Sequence, residues 1–120
     1  MANPFVHLEL ATPDLAKAKE FYGEMFGWKF DDQNMGAAGI YSLFAPDSGP
    51  RGGMYSMPGV PPGWLAYVGV EDIDESTEKA KALGATILRD VTEIPYVGWM
   101  SIAIDPTGAA IALFEPMPRA

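Results

Sequence analysis

One pattern runs through this chain twice, at an offset of 57 to 58 residues: Asp14-Leu15 returns as Asp72-Ile73, and Gly27 returns as Gly84. Two copies cannot make a solenoid, which needs three or more repeats to bury its faces. A chain written this way is constrained to pair two similar modules.

The first copy opens on Phe5-Val6-His7-Leu8-Glu9-Leu10, where Val6, Leu8 and Leu10 alternate with Phe5, His7 and Glu9. This is a strand with one wholly apolar face. Thr12-Pro13-Asp14 reads as a helix start, with Thr12 at the N-cap, Pro13 at the first helical position and Asp14 at the positive end of the dipole. Leu15, Ala18, Phe21, Tyr22, Met25 and Phe26 form an amphipathic stripe that Gly27 ends. Strands are expected at Trp28-Lys29-Phe30, over 40–45 and over 53–57. The segment 46–50 is a turn, Gly49-Pro50-Arg51-Gly52-Gly53 a hairpin loop, and 33–39 a flexible loop able to cover a site.

The second copy repeats the order. Strand 65–70 leads to Asp72-Ile73-Asp74-Glu75, the signature of a capping box. Ile73, Thr77, Ala80 and Leu83 line a helix closed by Gly84, followed by strands at 85–88, 97–104 and 109–114. The last two are joined by the turn Asp105-Pro106-Thr107-Gly108. The fold expected is a single α+β domain of two βαβββ modules in pseudo-two-fold repeat, about 4–57 and 64–116, with curved mixed sheets enclosing a cleft. Pro58-Gly59-Val60-Pro61-Pro62-Gly63 is the linker between them.

Composition narrows the chemistry. With 120 residues the chain is one domain in length. It has no cysteine, which excludes disulfides, thiolate nucleophiles and Cys-ligated metals, and suits a reducing compartment. A net charge of −8 argues against nucleic acid and anionic membranes as partners. Met1-Ala2-Asn3-Pro4 has neither the basic region nor the apolar run of a signal peptide, so the cytoplasm is the expected location. A Ser-His-Asp triad would have to use His7, the one histidine, and no serine lies in a nucleophile-elbow setting. The glycines at 49–53 lack the lysine and following helix of a phosphate loop; Arg51 there remains a candidate contact for an anionic ligand.

His7-Leu8-Glu9-Leu10, Pro13 to Ala18, Phe21-Tyr22, Phe26-Gly27-Trp28, Val70 to Ile73, Leu83-Gly84-Ala85 and Asp105 to Gly108 together resemble the vicinal oxygen chelate superfamily. That superfamily includes glyoxalase I, extradiol dioxygenases and bleomycin-resistance binding proteins. The resemblance covers nearly the whole chain and implies the cleft and a homodimer. It also implies, in catalytic members, four protein ligands to a divalent metal. His7 falls at the first ligand position. The other three fall in the strand 52–57, which has no carboxylate or histidine, near Leu65, and at Ala112. Glu115, three residues on, points to the opposite face. No metal or other cofactor is therefore expected, although His7 and Glu9 share a strand face and leave a displaced divalent site open.

Without a metal the candidate chemistry rests on His7 and Glu9 as an acid/base pair, with Glu9 able to hold the imidazole tautomer. Tyr41, Met54, Trp64, Tyr67, Trp99, Ser101, Ala112 and Phe114 are the candidate ligand-binding residues, an aromatic and small-residue lining suited to a flat ligand. Three functions stay open. One is a glyoxalase/bleomycin-resistance-like protein that binds a small aromatic or amphipathic metabolite or antibiotic without metal, with or without a lyase or isomerase reaction. Another is a metal-dependent lactoylglutathione lyase-like isomerase or dioxygenase-like enzyme with displaced ligands. The third is a non-catalytic interaction module.

Overall fold

A computed structural model describes residues 3–56, 59 and 61–118. Met57, expected at the end of a strand, and Pro58 and Val60 of the expected linker lie outside the described residues. The chain forms two compact units, His7–Leu65 and Ala66–Ala120 with Met1–Val6.

The first unit contains strand β1 (Phe5–Thr12, from His7 on), helix α1 (Leu15–Phe26), and strands β2 (Asp31–Asn34), β3 (Ile40–Phe44) and β4 (Arg51–Ser56). Its sheet runs β2-β3-β4-β1. The hairpin strands pair antiparallel, and β4 lies parallel to β1 with Leu10 opposite Met54. One face of this sheet is apolar. Leu10, Phe44 and Met54 are buried there, packed on by Leu15, Ala18 and Tyr22 of α1 and by Trp28 and Phe30. Burying each large side chain stabilises the unit by about 1.5–3 kcal/mol.

The second unit repeats the plan. It contains β5 (Gly63–Gly69, from Ala66 on), α2 (Ile73–Ala82), β6 (Thr86–Ile94), β7 (Gly98–Ile104) and β8 (Ala110–Pro116). The sheet runs β5-β8-β7-β6, with β5 parallel to β8 as β1 is to β4. Asn3 and Pro4 join this unit by hydrogen bonds to the carbonyl and amide of Gly69, both 2.8 Å.

The capping chemistry corrects one expectation. The N-cap of α1 is Asp14, whose carboxylate accepts from Lys17 N at 3.0 Å. Thr12 stands two residues earlier and accepts from Asp14 N instead. Asp72 caps α2 as the sequence indicates, accepting from Glu75 N at 3.0 Å. Gly27 closes α1 in the left-handed conformation (φ 71°), which costs a residue without Cβ little. The turn 105–108 is held by Asp105, whose carboxylate accepts from the amides of Thr107 and Ala109 and from the Thr107 hydroxyl. Those hydrogen bonds, led by the Thr107 hydroxyl, lower its pKa.

Two strand assignments move. Trp28-Lys29-Phe30 is not a strand; Trp28 stacks on Phe44 at 4.4 Å between ring centroids and on Tyr22 at 5.7 Å, and Phe30 meets Phe44 edge-on. The strand begins at Asp31 and runs through Gln33 and Asn34, the first residues of the expected loop 33–39, and Gly36–Ala38 is a 3-10 turn. Asp32 anchors β2. It accepts from Lys19 of α1 at 2.8 Å and from the buried Ser42 hydroxyl, and these bonds, Lys19 first, lower its pKa. Arg51, expected in a loop, opens β4.

Candidate functional site

Successive side chains of a strand point to opposite faces. Leu10, Met54 and Phe44 take the helix side of the first sheet, so His7 and Glu9 of β1 stand on the other. By register Arg51, Gly53 and Tyr55 of β4 and Tyr41 and Leu43 of β3 join them on that face, opposite α1.

Three of these side chains meet. His7 Nε2 lies 2.8 Å from the Tyr41 hydroxyl, and that hydroxyl donates to Glu9 Oε2 at 3.0 Å. All three residues are half-buried. Tyr41 is paired in register with Tyr55, one step along the sheet from Glu9, so its ring must cross over the strand between to reach β1. It crosses over Gly53. A Cβ built on Gly53 would fall on the Tyr41 ring. Glycine within a strand commonly marks such a close approach. The rings of His7, Tyr41 and Tyr55 run nearly parallel, with centroids 6.3 Å apart at each step and interplanar angles of 17° and 18°. Burial lowers the pKa of His7 from its ordinary 6.5, which favours the neutral imidazole. A neutral imidazole is the form that accepts a proton. Arg51 stands beside His7 in the ladder, exposed, where its guanidinium adds positive charge to this face.

The candidate residues divide. His7, Glu9 and Tyr41 come together. Met54 and Trp64 do not line this face: Met54 is fully buried in the core under α1, and Trp64 packs edge-on against Tyr22 and Phe44 on that same side. In the second unit Ser101 is fully buried against α2, its hydroxyl 2.9 Å from that of Thr77, which donates to Ile73 O. Trp99 alternates onto the same side as Ser101, where its ladder partner Glu115 accepts from Ile73 N at 2.9 Å. Both are therefore on the helix side. Tyr67, Ala112 and Phe114 occupy the opposite side of that sheet, with Tyr67 in register with Ala112. Arg51 was read as a loop residue from sequence, and Gly53 as the junction between that loop and the strand 53–57. The signal for Gly53 was the Gly-Gly pair followed by an apolar alternating run.

His7 and Glu9 are the two metal-donor side chains of this face. Among the described residues no three His, Cys, Asp or Glu side chains cluster. His7 Nε2 and Glu9 Oε2 both contact the Tyr41 oxygen.

A sequence profile describing the Glyoxalase/Bleomycin resistance protein/Dioxygenase superfamily matches residues 5–113. The chain belongs to that superfamily. "Putative glyoxylase CFP32" of Mycobacterium tuberculosis is 34% identical over 114 residues, which cover 90% of this chain and 44% of that protein. "Anthracycline biosynthesis protein DnrV" of Streptomyces peucetius is 26% identical over 126 residues, covering 89% of this chain and 45% of that protein. The chain thus spans under half the length of these curated relatives. Among solved structures, methylmalonyl-CoA epimerase from Mycobacterium tuberculosis superposes with a TM-score of 0.73 at 20% identity, covering 96% of this chain and 89% of the other. Hypothetical protein BH1468 from Bacillus halodurans reaches 0.78 at 14% identity, covering 100% and 99%. At these identities the structures share the α+β superfamily fold. Among the described residues no helix is long and apolar enough to cross a membrane.

Proposed function

We propose that this superfamily member binds a small aromatic or amphipathic metabolite on the His7 and Glu9 face of its β2-β3-β4-β1 strands, without a metal, and that His7 and Glu9 serve as its acid/base pair. The observation that carries the reading is the joining of His7 and Glu9 through one phenol in a half-buried cluster. Parallel aromatic rings beside it offer a stacking surface to a flat ligand. Arg51 favours a ligand that also carries negative charge. The relatives' names, a glyoxylase and an anthracycline biosynthesis protein, accord with small oxygenated or aromatic ligands. A homodimer, as the family resemblance implies, is part of the proposal.

The test is native mass spectrometry before and after chelator, followed by saturation-transfer NMR against a panel of aromatic acids and phenols. The expected result is a metal-free dimer and saturable binding by at least one compound, abolished in His7→Ala. One divalent ion per chain, lost with chelator and in His7→Ala, would instead establish a metal-dependent enzyme. Absence of any saturable binding across the panel would reject the ligand reading.

A further inference from the structure

A phenol has one proton to give. Tyr41 gives it to Glu9 Oε2, and its oxygen is then an acceptor toward His7. The nitrogen 2.8 Å away is Nε2. Two acceptors facing each other at that distance would repel, so Nε2 must carry the hydrogen. The neutral imidazole has only one N–H, which leaves its lone pair on Nδ1.

We propose that Tyr41, seated on Gly53, is the positioning residue of this site, fixing His7 as the Nε2–H tautomer with Nδ1 as its proton-accepting atom and linking that atom to Glu9. The two hydrogen bonds form a chain of fixed polarity that reverses only as a unit. When Nδ1 takes a proton from a ligand, the Nε2 proton passes to the Tyr41 oxygen, and the Tyr41 proton passes to Glu9 Oε2. The imidazole is again neutral, now as the Nδ1–H tautomer, and the proton taken from the ligand is balanced by one held on Glu9. The reverse sequence returns it. Gly53 belongs to the device because any side chain there occupies the space of the Tyr41 ring.

The use of the relay rests on the acid/base reading above, but its wiring does not, and the experiment reads the wiring without a ligand. His7 is the one histidine, so long-range proton–nitrogen correlation on the 15N-labelled full-length chain at pH 8 gives a single imidazole pattern. The expected pattern is Nε2–H in the wild type and in Glu9→Gln, whose amide oxygen still accepts from Tyr41. In Glu9→Leu the freed Tyr41 proton turns to Nε2, and the tautomer flips to Nδ1–H. In Glu9→Leu/Tyr41→Phe the flip is lost. A merely structural role for Tyr41 predicts no such flip. Should Glu9→Leu fail to fold, Tyr41→Phe alone decides: its Nε2 proton resonance moves upfield and exchanges faster with water. An Nδ1–H wild type, a Glu9→Leu that keeps Nε2–H, or an Nε2 proton indifferent to Tyr41→Phe overturns the proposal. Failure of the ligand screen would leave these spectra unchanged, so the two ideas fail separately.

Discussion

Replacing Gly53 by alanine puts two opposed effects on one site, and the structure decides which wins. Gly53 is not among the residues with positive φ, so its backbone suits alanine. At an unobstructed position of this kind, Gly→Ala stabilises by about 0.4–1 kcal/mol, mainly by restricting the unfolded chain. Here the added Cβ falls on the far end of the Tyr41 side chain, which swings aside more readily than backbone. The cost is then the loss of the two hydrogen bonds to His7 and Glu9, at roughly 0.5–1.5 kcal/mol each. The net expectation is a destabilisation of about 1–2 kcal/mol, or about 4–8 °C in melting temperature for a domain this size. Urea titration monitored by circular dichroism measures it. The same substitution made in a Tyr41→Ala background meets no ring, and there it should be neutral or stabilise by up to about 1 kcal/mol. If Gly53→Ala stabilises the wild type, or costs the same in both backgrounds, the phenol does not lie where the argument needs it.

Gly52→Ala should cost more than Gly53→Ala, about 3 kcal/mol, because its Cβ meets the carbonyl oxygen of Leu8 at 2.7 Å as well as the buried Phe44 ring, and neither can swing away; the same urea titration ranks the two. The lowered pKa of His7 gives a defined pH slope. The unfolded chain takes up a proton near pH 6.5 while the folded one does not, so stability is full above that value and falls as pH drops from 6.5 toward the folded pKa. Urea midpoints between pH 7.5 and 5 should show this slope in the wild type and lose it in His7→Gln. The lowered aspartates, Asp32 and Asp105, act in a separate window, below their ordinary 3.8. Tyr96 holds a left-handed φ of 67° at the β6–β7 turn with its side chain fully exposed. Tyr96→Asn should therefore stabilise by about 1 kcal/mol, seen as a raised urea midpoint with an unchanged slope.

Much of the fold was legible because its signals are local. Asp72 and Gly27 act where their chemistry demands, and the repeat of 57 to 58 residues emerged as two units with the same pairing order of strands. What escaped was non-local. Trp28 and Phe30 alternate like a strand, yet they face one core through ring packing. Asp31–Asn34 has no apolar period at all and is a strand only because β3 supplies its ladder. The candidate site was legible in part for a related reason. Residue type drew Met54, Trp64, Trp99 and Ser101 into it, and alternation put them on the helix sides. His7, Glu9 and Tyr41 were among the candidates, but the diagonal reach that joins them depends on the missing side chain of Gly53, on the strand between β1 and β3 and distant from all three in sequence.

That absence has an evolutionary reading. Every glycine codon becomes an aspartate or glutamate codon by one change at its second base. Position 53 lies in register with Glu9, on the same face. A carboxylate arriving there would evict the phenol and stand beside His7 and Glu9 as a third anionic or imidazole donor. A single nucleotide thus separates a proton-handling surface from the beginnings of a cation-binding one, and the two chemistries of such a scaffold are neighbours in sequence space.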